Sequence, residues 1–146
     1  MVPAAEPDRL PEWPPGTVAI LSTGAGPPHA IPISTAVPAG TRRLLIALAL
    51  ERESLARLRT DPRAALTILA EGNVAVTAHA RARIVQEPMA VADGVAAVAF
   101  DVERIQYHGQ PRFEVDAGVR WHWTDDEARA RDAAIRAALT ELAAQL

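Results

Sequence analysis

The sequence predicts an all-β domain with minor helices, built as a small antiparallel barrel of six strands, closed or split. Three observations carry this. Apolar and polar residues alternate with period two in several segments, and in Asn73–Gln86 the alternation holds for a dozen residues. The turn signals "GAGPP", "PAGTRR" and "EGN" join segments too closely for parallel crossovers, which implies antiparallel pairing. Helical spacing is confined to one short stretch before the fourth strand and one long stretch at the end.

Taken in order, "MVPAAEPDRLPEWPPG" holds five prolines and reads as an extended arm. Thr17–Thr23, "TVAILST", is β-branched and apolar, the first strand. His29–Thr35, "HAIPIST", alternates, with His29, Ile31 and Ile33 on one face. Pro32 has no N–H for a ladder, so it marks an edge or a bulge. Arg43–Leu50, "RLLIALAL", has no polar face and suits a strand buried on both sides. The next stretch, "ESLARLRT", spaces Leu55 and Leu58 as a short helix would, with Ser54 as its expected cap and Asp61-Pro62 as its stop. Ala64–Ala70 is the fourth strand. In Asn73–Gln86, Val74, Val76, Ala78, Ala80, Ala82 and Ile84 face the core, while Thr77, His79, Arg81 and Arg83 face solvent or a partner. Such a strand bends around a barrel. Val95–Tyr107 is the sixth. Thr124 opens the terminal helix with "TDDE", a capping box to Glu127, and Ala128, Ile135, Leu139, Leu142 and Leu146 form its apolar stripe. The expected organisation is an arm over 1–15, a barrel over 16–123 and a helix over 124–146 packed on the barrel.

Composition narrows the function. A net charge of −3 argues against a general nucleic-acid binder. No apolar run reaches the roughly 20 residues of a membrane span, and the N-terminus lacks a signal pattern, so a cytoplasmic protein is expected. Without cysteine there is no disulfide, thiol nucleophile or thiolate metal site. The four histidines show no metal-ligand spacing, "GAG" is not a dinucleotide fingerprint, and GxSxG is absent. What remains conspicuous is arginine. The chain has no lysine, and four of its 15 arginines fall at Arg52, Arg57, Arg59 and Arg63, around Ser54. Guanidinium and hydroxyl groups at a helix start suit a phosphate.

The segment "LERESLARLRTDPRAALTIL", the hairpin "VAILSTGAGPPHAIPIS" and the long strand "VAVTAHARARIV" together resemble the pyridoxamine-5′-phosphate-oxidase-like family, the FMN-binding split barrels. The likeness covers roughly residues 16–107, and the tail "FEVDAGVRWHWTDDEARARD" resembles an extension seen in some members. The resemblance implies a homodimer with a flavin-type cofactor, FMN or the deazaflavin F420, at each of two equivalent interface sites. It implies that Arg52, Ser54 and Arg57 hold the cofactor phosphate, although a common member has lysine at the place of Ser54. It implies that the ring lies along Pro32, Ile33 and Ser34. The two-sided apolar run "RLLIALAL" adds a reason for a dimer, because a partner would cover its outer face. In "VRWHW", two indoles separated by one residue point to opposite faces of an extended chain. One is then expected buried on the barrel, with Trp123 as a staple before the helix, and the other, Trp121, over the cofactor ring. The function expected is that of an oxidoreductase of this family, its substrate open. The alternative is a dimeric binding protein that keeps the fold without catalysis.

Overall fold

The computed structural model describes residues 6–146. Residues 1–5 of the expected arm lie outside the described residues. Among those described, the elements run β1 (Ala19–Thr23), β2 (His29–Ile33), β3 (Val37–Pro38), β4 (Arg43–Ala49), α1 (Glu53–Thr60), β5 (Arg63–Ala70), β6 (Val74–Gln86), β7 (Val95–Tyr107) and α2 (Asp126–Gln145). The strands form one antiparallel sheet in the order β2-β1-β5-β6-β7-β4-β3.

Seven strands are present where six were expected, and the barrel is open. Val37 and Pro38 form the extra strand, pairing with Leu45 and Leu44. β2 therefore does not join β4 through a hairpin. It ends the sheet on one side, as Pro32 requires, and β3 ends it on the other. The sheet curls through register shifts in β6 at His79/Ala80 and Ile84/Gln86, bulges that add local bend and twist. Between β2 and the far end of β4 a seam is left. There Thr35 replaces the missing strand: the Ala47 amide donates to its hydroxyl at 3.0 Å.

Two apolar clusters fill the molecule. The barrel core gathers Leu21, Leu44, Ile46, Leu66, Ile68, Val98, Phe100 and Ile105, closed at one end by Leu55 and Leu58 of α1. The arm contributes too: Leu10 is buried in this core, and Trp13 packs against it and donates its indole N–H to the Ala36 carbonyl at 3.0 Å. The second cluster lies outside the sheet, where Ile135 and Leu139 of α2 cover Leu45, Ala97 and Ala99. β4 is thus buried on both faces within one chain, with Leu45 at 0% exposure. This corrects the argument for a dimer from β4, because the face that seemed to need a partner is already covered by α2.

Both helix starts also differ from expectation. α1 begins after Arg52, with no side-chain cap, and Ser54 lies inside its first turn. α2 begins after Asp125, whose carboxylate accepts from the Ala128 amide at 2.9 Å. Asp125 displaces Thr124 because either residue of "TD" can cap. The third helical position then falls on Ala128, so Glu127 cannot complete a capping box. The stop of α1 is as expected: Asp61, before Pro62, is extended at φ −141° and ψ 111°.

Candidate functional site

A cleft of about 570 Å³ lies along the seam. This is the size range of small-ligand sites. Ile31–Thr35 line one side, and Ala47–Ala49 with Val95 line the other. Trp121, His122 and Trp123 of the tail and Ala128, Arg131, Asp132 and Ile135 of α2 complete it. Because β2 ends the sheet, the N–H and C=O groups of its outer edge have no strand partner. They are available to a flat ligand, which needs just such main-chain groups for orientation.

The tail is brought here by identifiable contacts. The Asn73 side chain accepts from the Val115 amide at 2.9 Å, and the Asn73 amide donates to the Val115 carbonyl at 3.1 Å. At Gly118 the chain passes so close to β5 that an added Cβ would lie 2.6 Å from the Leu69 carbonyl oxygen. The Trp121 indole then donates to the Gly16 carbonyl at 2.8 Å. Trp121 and Trp123 meet edge to face, centroids 5.5 Å apart. The expected division of labour between them is corrected. Each is 37% exposed, and both line the cleft. The segment is not a strand, so alternation does not send them to opposite faces.

Five residues singled out in the sequence meet here: Pro32, Ile33, Ser34, Arg52 and Trp121. Ser54 and Arg57 stand elsewhere. Ser54 is fully buried, its hydroxyl 3.1 Å from Nε2 of His29, whose Nδ1 lies 2.9 Å from the Glu53 carboxylate. The order Ser–His–Glu has the form of a nucleophile relay, but a hydroxyl without exposure meets no substrate. It acts as a clamp between β2 and α1. Arg57 reinforces it, donating to the carbonyls of Ala25 and Pro27 in the β1–β2 turn and facing Glu53 at 3.6 Å. Arg52 is exposed and has no ion pair among the described residues. On the long strand, Arg81 and Arg83 pair with Glu103 and Asp101 of β7, and His79 bonds Gln106, so this face is a solvated charge ladder. Asp101 is raised by burial, but hydrogen bonds from Arg43 and Arg83 more than offset this and hold it below the usual carboxylate value. Sequence reasoning missed Arg131, which lies on a helix face with no pattern to set it apart.

An open half-barrel with an apolar, arginine-bearing cleft along its seam is the class of protein defined here. Its fold is that of the pyridoxamine-5′-phosphate-oxidase-like split barrels. A candidate pyridoxamine 5′-phosphate oxidase from Listeria innocua superimposes with a TM-score of 0.54 at 14% identity, over 63% of this chain and 88% of that one. An F420 reductase gives 0.55 at 13% identity, over 73% and 100%. A FAD-binding protein from Mesorhizobium loti gives 0.51 at 14%, over 61% and 83%. At such identities the likeness is one of fold. No protein-family profile matches the chain, and no protein of curated function matches it in sequence. No helix among the described residues is long and apolar enough to cross a membrane.

Proposed function

We propose that the chain binds a flavin-type cofactor, FMN or F420, in the seam cleft and serves as an oxidoreductase. The observation that carries this is the coincidence, in one apolar cleft, of an unpaired strand edge, two indoles and the unpaired Arg52. Each has a task. The outer edge of β2 at Pro32 and Ile33, with Ser34 beside it, fixes a planar ring through main-chain groups. Trp121 and Trp123 cover the ring and exclude water. Arg52 meets the phosphate with two parallel donors. Ser54 and Arg57 act from behind, holding α1, and with it Arg52, against the β1–β2 turn. The bound cofactor supplies hydride transfer. The same reading makes the protein a homodimer through the outer face of β2, β1 and β5, where Ile20 and Leu69 are exposed at 39% and 48%. A partner there adjoins the edge strand of the cleft.

One observation favours a binding protein without turnover as the second reading. Among the described residues, the one carboxylate lining the cleft, Asp132, is committed to Arg136 at 2.7 Å, so none of them offers a free side-chain acid there. Titration of the purified protein with FMN and with F420, followed by fluorescence, tests the main reading. Arg52→Ala should weaken the bound cofactor by roughly 1.5–3 kcal/mol, the scale of a hydrogen bond to a charged group. A parent protein that binds neither cofactor overturns the reading. A bound flavin that no hydride donor bleaches selects the second.

A further inference from the structure

Helix α2 carries three arginines, Arg129, Arg131 and Arg136. Two are committed. Arg129 bonds Asp126 and the Trp123 carbonyl, and Arg136 bonds Asp132. Arg131 has no ion pair or side-chain hydrogen bond among the described residues, and it lines the cleft. So does Arg52, from the β4–α1 junction, and it is equally unpaired. Since Asp132 is neutralised by Arg136, the described residues give the cleft two uncompensated positive charges and no free negative one. Most of the remaining lining is apolar. Both guanidinium groups are exposed and so partly screened by water, but a concave, apolar wall focuses their field on an anion more than a convex surface would.

We infer that Arg131 is a second anion-binding residue of the cleft, acting with Arg52, and that the cleft selects a flat aromatic ligand carrying an anionic group. Helix α2 is then part of the binding site as well as the cover of β4. This deepens the proposed function and rests on its use of the cleft, but it does not depend on flavin chemistry. Arg131 is exposed on a helix, so its replacement leaves the packing of Ile135 and Leu139 intact.

The test pairs ligands that share an aromatic body and differ in charge. Anilinonaphthalenesulfonate and uncharged N-phenylnaphthylamine form one pair, FMN and riboflavin the other. Arg131→Gln should weaken binding of the sulfonate and of FMN about tenfold or more, the effect of losing a charge-assisted hydrogen bond. The two uncharged ligands should bind as in the parent. Arg52→Gln should behave the same way, and Arg131→Lys should recover part of the loss. Arg112→Gln, which removes an exposed arginine outside the cleft, should change nothing. Thermal melting monitors the fold of each variant. If Arg131→Gln binds the sulfonate as tightly as the parent, or loses the charged and uncharged ligands equally, the inference is wrong whatever FMN does. It is equally wrong if the parent binds neither aromatic probe. If the sulfonate depends on Arg131 while FMN and F420 do not bind at all, the inference stands and the flavin reading falls.

Discussion

Replacing Gly118 by alanine should loosen the tail without touching the barrel. The new Cβ would stand 2.6 Å from the Leu69 carbonyl oxygen, and Cβ atoms essentially never approach such an atom within 3.0 Å. The gap to be opened is therefore about 0.4 Å, the difference between the two distances. β5 resists the shift, because Leu69 is paired with Ala75 of β6 although β1 reaches only as far as Ile68, and the tail is the less tethered side. The tail must move instead. It is held by the paired bonds of Val115 with Asn73, at 2.9 and 3.1 Å, and by the Trp121 indole on Gly16, at 2.8 Å. At about 0.5–1.5 kcal/mol net for each bond, complete release costs about 1.5–4.5 kcal/mol, and a strained but attached tail costs about 1–3. Hydrogen exchange reads this locally: protection of the Val115 amide and the Trp121 indole N–H should fall about tenfold to a hundredfold, while core amides of β5 and β6 keep theirs. Gly94→Ala is the control, since a Cβ there meets nothing within 4 Å. Unchanged protection of Val115 and Trp121 in Gly118→Ala would refute the claim that this close approach fixes the tail.

Leu139 is fully buried between α2 and the outer face of β4 and β7, so Leu139→Ala should cost about 2–5 kcal/mol, measured as a lower urea midpoint at similar slope. A midpoint within error of the parent would mean that α2 is not packed as described. Asp61 is held down to about 2, first by the Arg63 side chain and then by the Arg63 amide. A carboxylate lowered in the folded state adds stability that is full above its unfolded value of 3.8 and lost as pH falls through about 2. NMR titration of the Asp61 carboxyl should show the low midpoint, and Arg63→Ala should move it back toward 3.8; a parent midpoint already near 3.8 contradicts the pairing.

The sequence was most legible where a pattern repeats. Period two located β6 and β7 to within a residue, the run between Asp61-Pro62 and the "EGN" turn gave β5 as closely, and Leu55 with Leu58 placed α1. β3 was invisible because two residues, Val37 and Pro38, display no period. Pairing was less legible than strands. β4 bonds to β7, far along the chain, and nothing in "RLLIALAL" states which strand or helix will cover it. At the site, Pro32 betrayed an edge because its chemistry forbids a ladder bond. Ser54 and Arg57 misled because a hydroxyl and a guanidinium suit a phosphate and a structural clamp equally well. Only the fold shows that His29 and the Ala25 and Pro27 carbonyls claim them. Arg131 was hidden for the opposite reason, since its lack of partners is a fact of three dimensions.

The two-sided burial of β4 has a consequence in time. β1 and β4 both take partners synthesised later, β5 and β7, whereas β5, β6 and β7 pair in sequence. The meander of these three strands forms through its nearest neighbours in the chain and becomes the template on which the earlier strands settle. Until β7 and α2 leave the ribosome, Leu44–Leu48 is an apolar, uncharged, β-prone stretch with neither face covered and only the two residues of β3 to pair with. The charged residues directly after it, Glu51, Arg52 and Glu53, then act as gatekeepers against self-association during that interval. The chain is most vulnerable while it is being made, and its last helix ends that exposure.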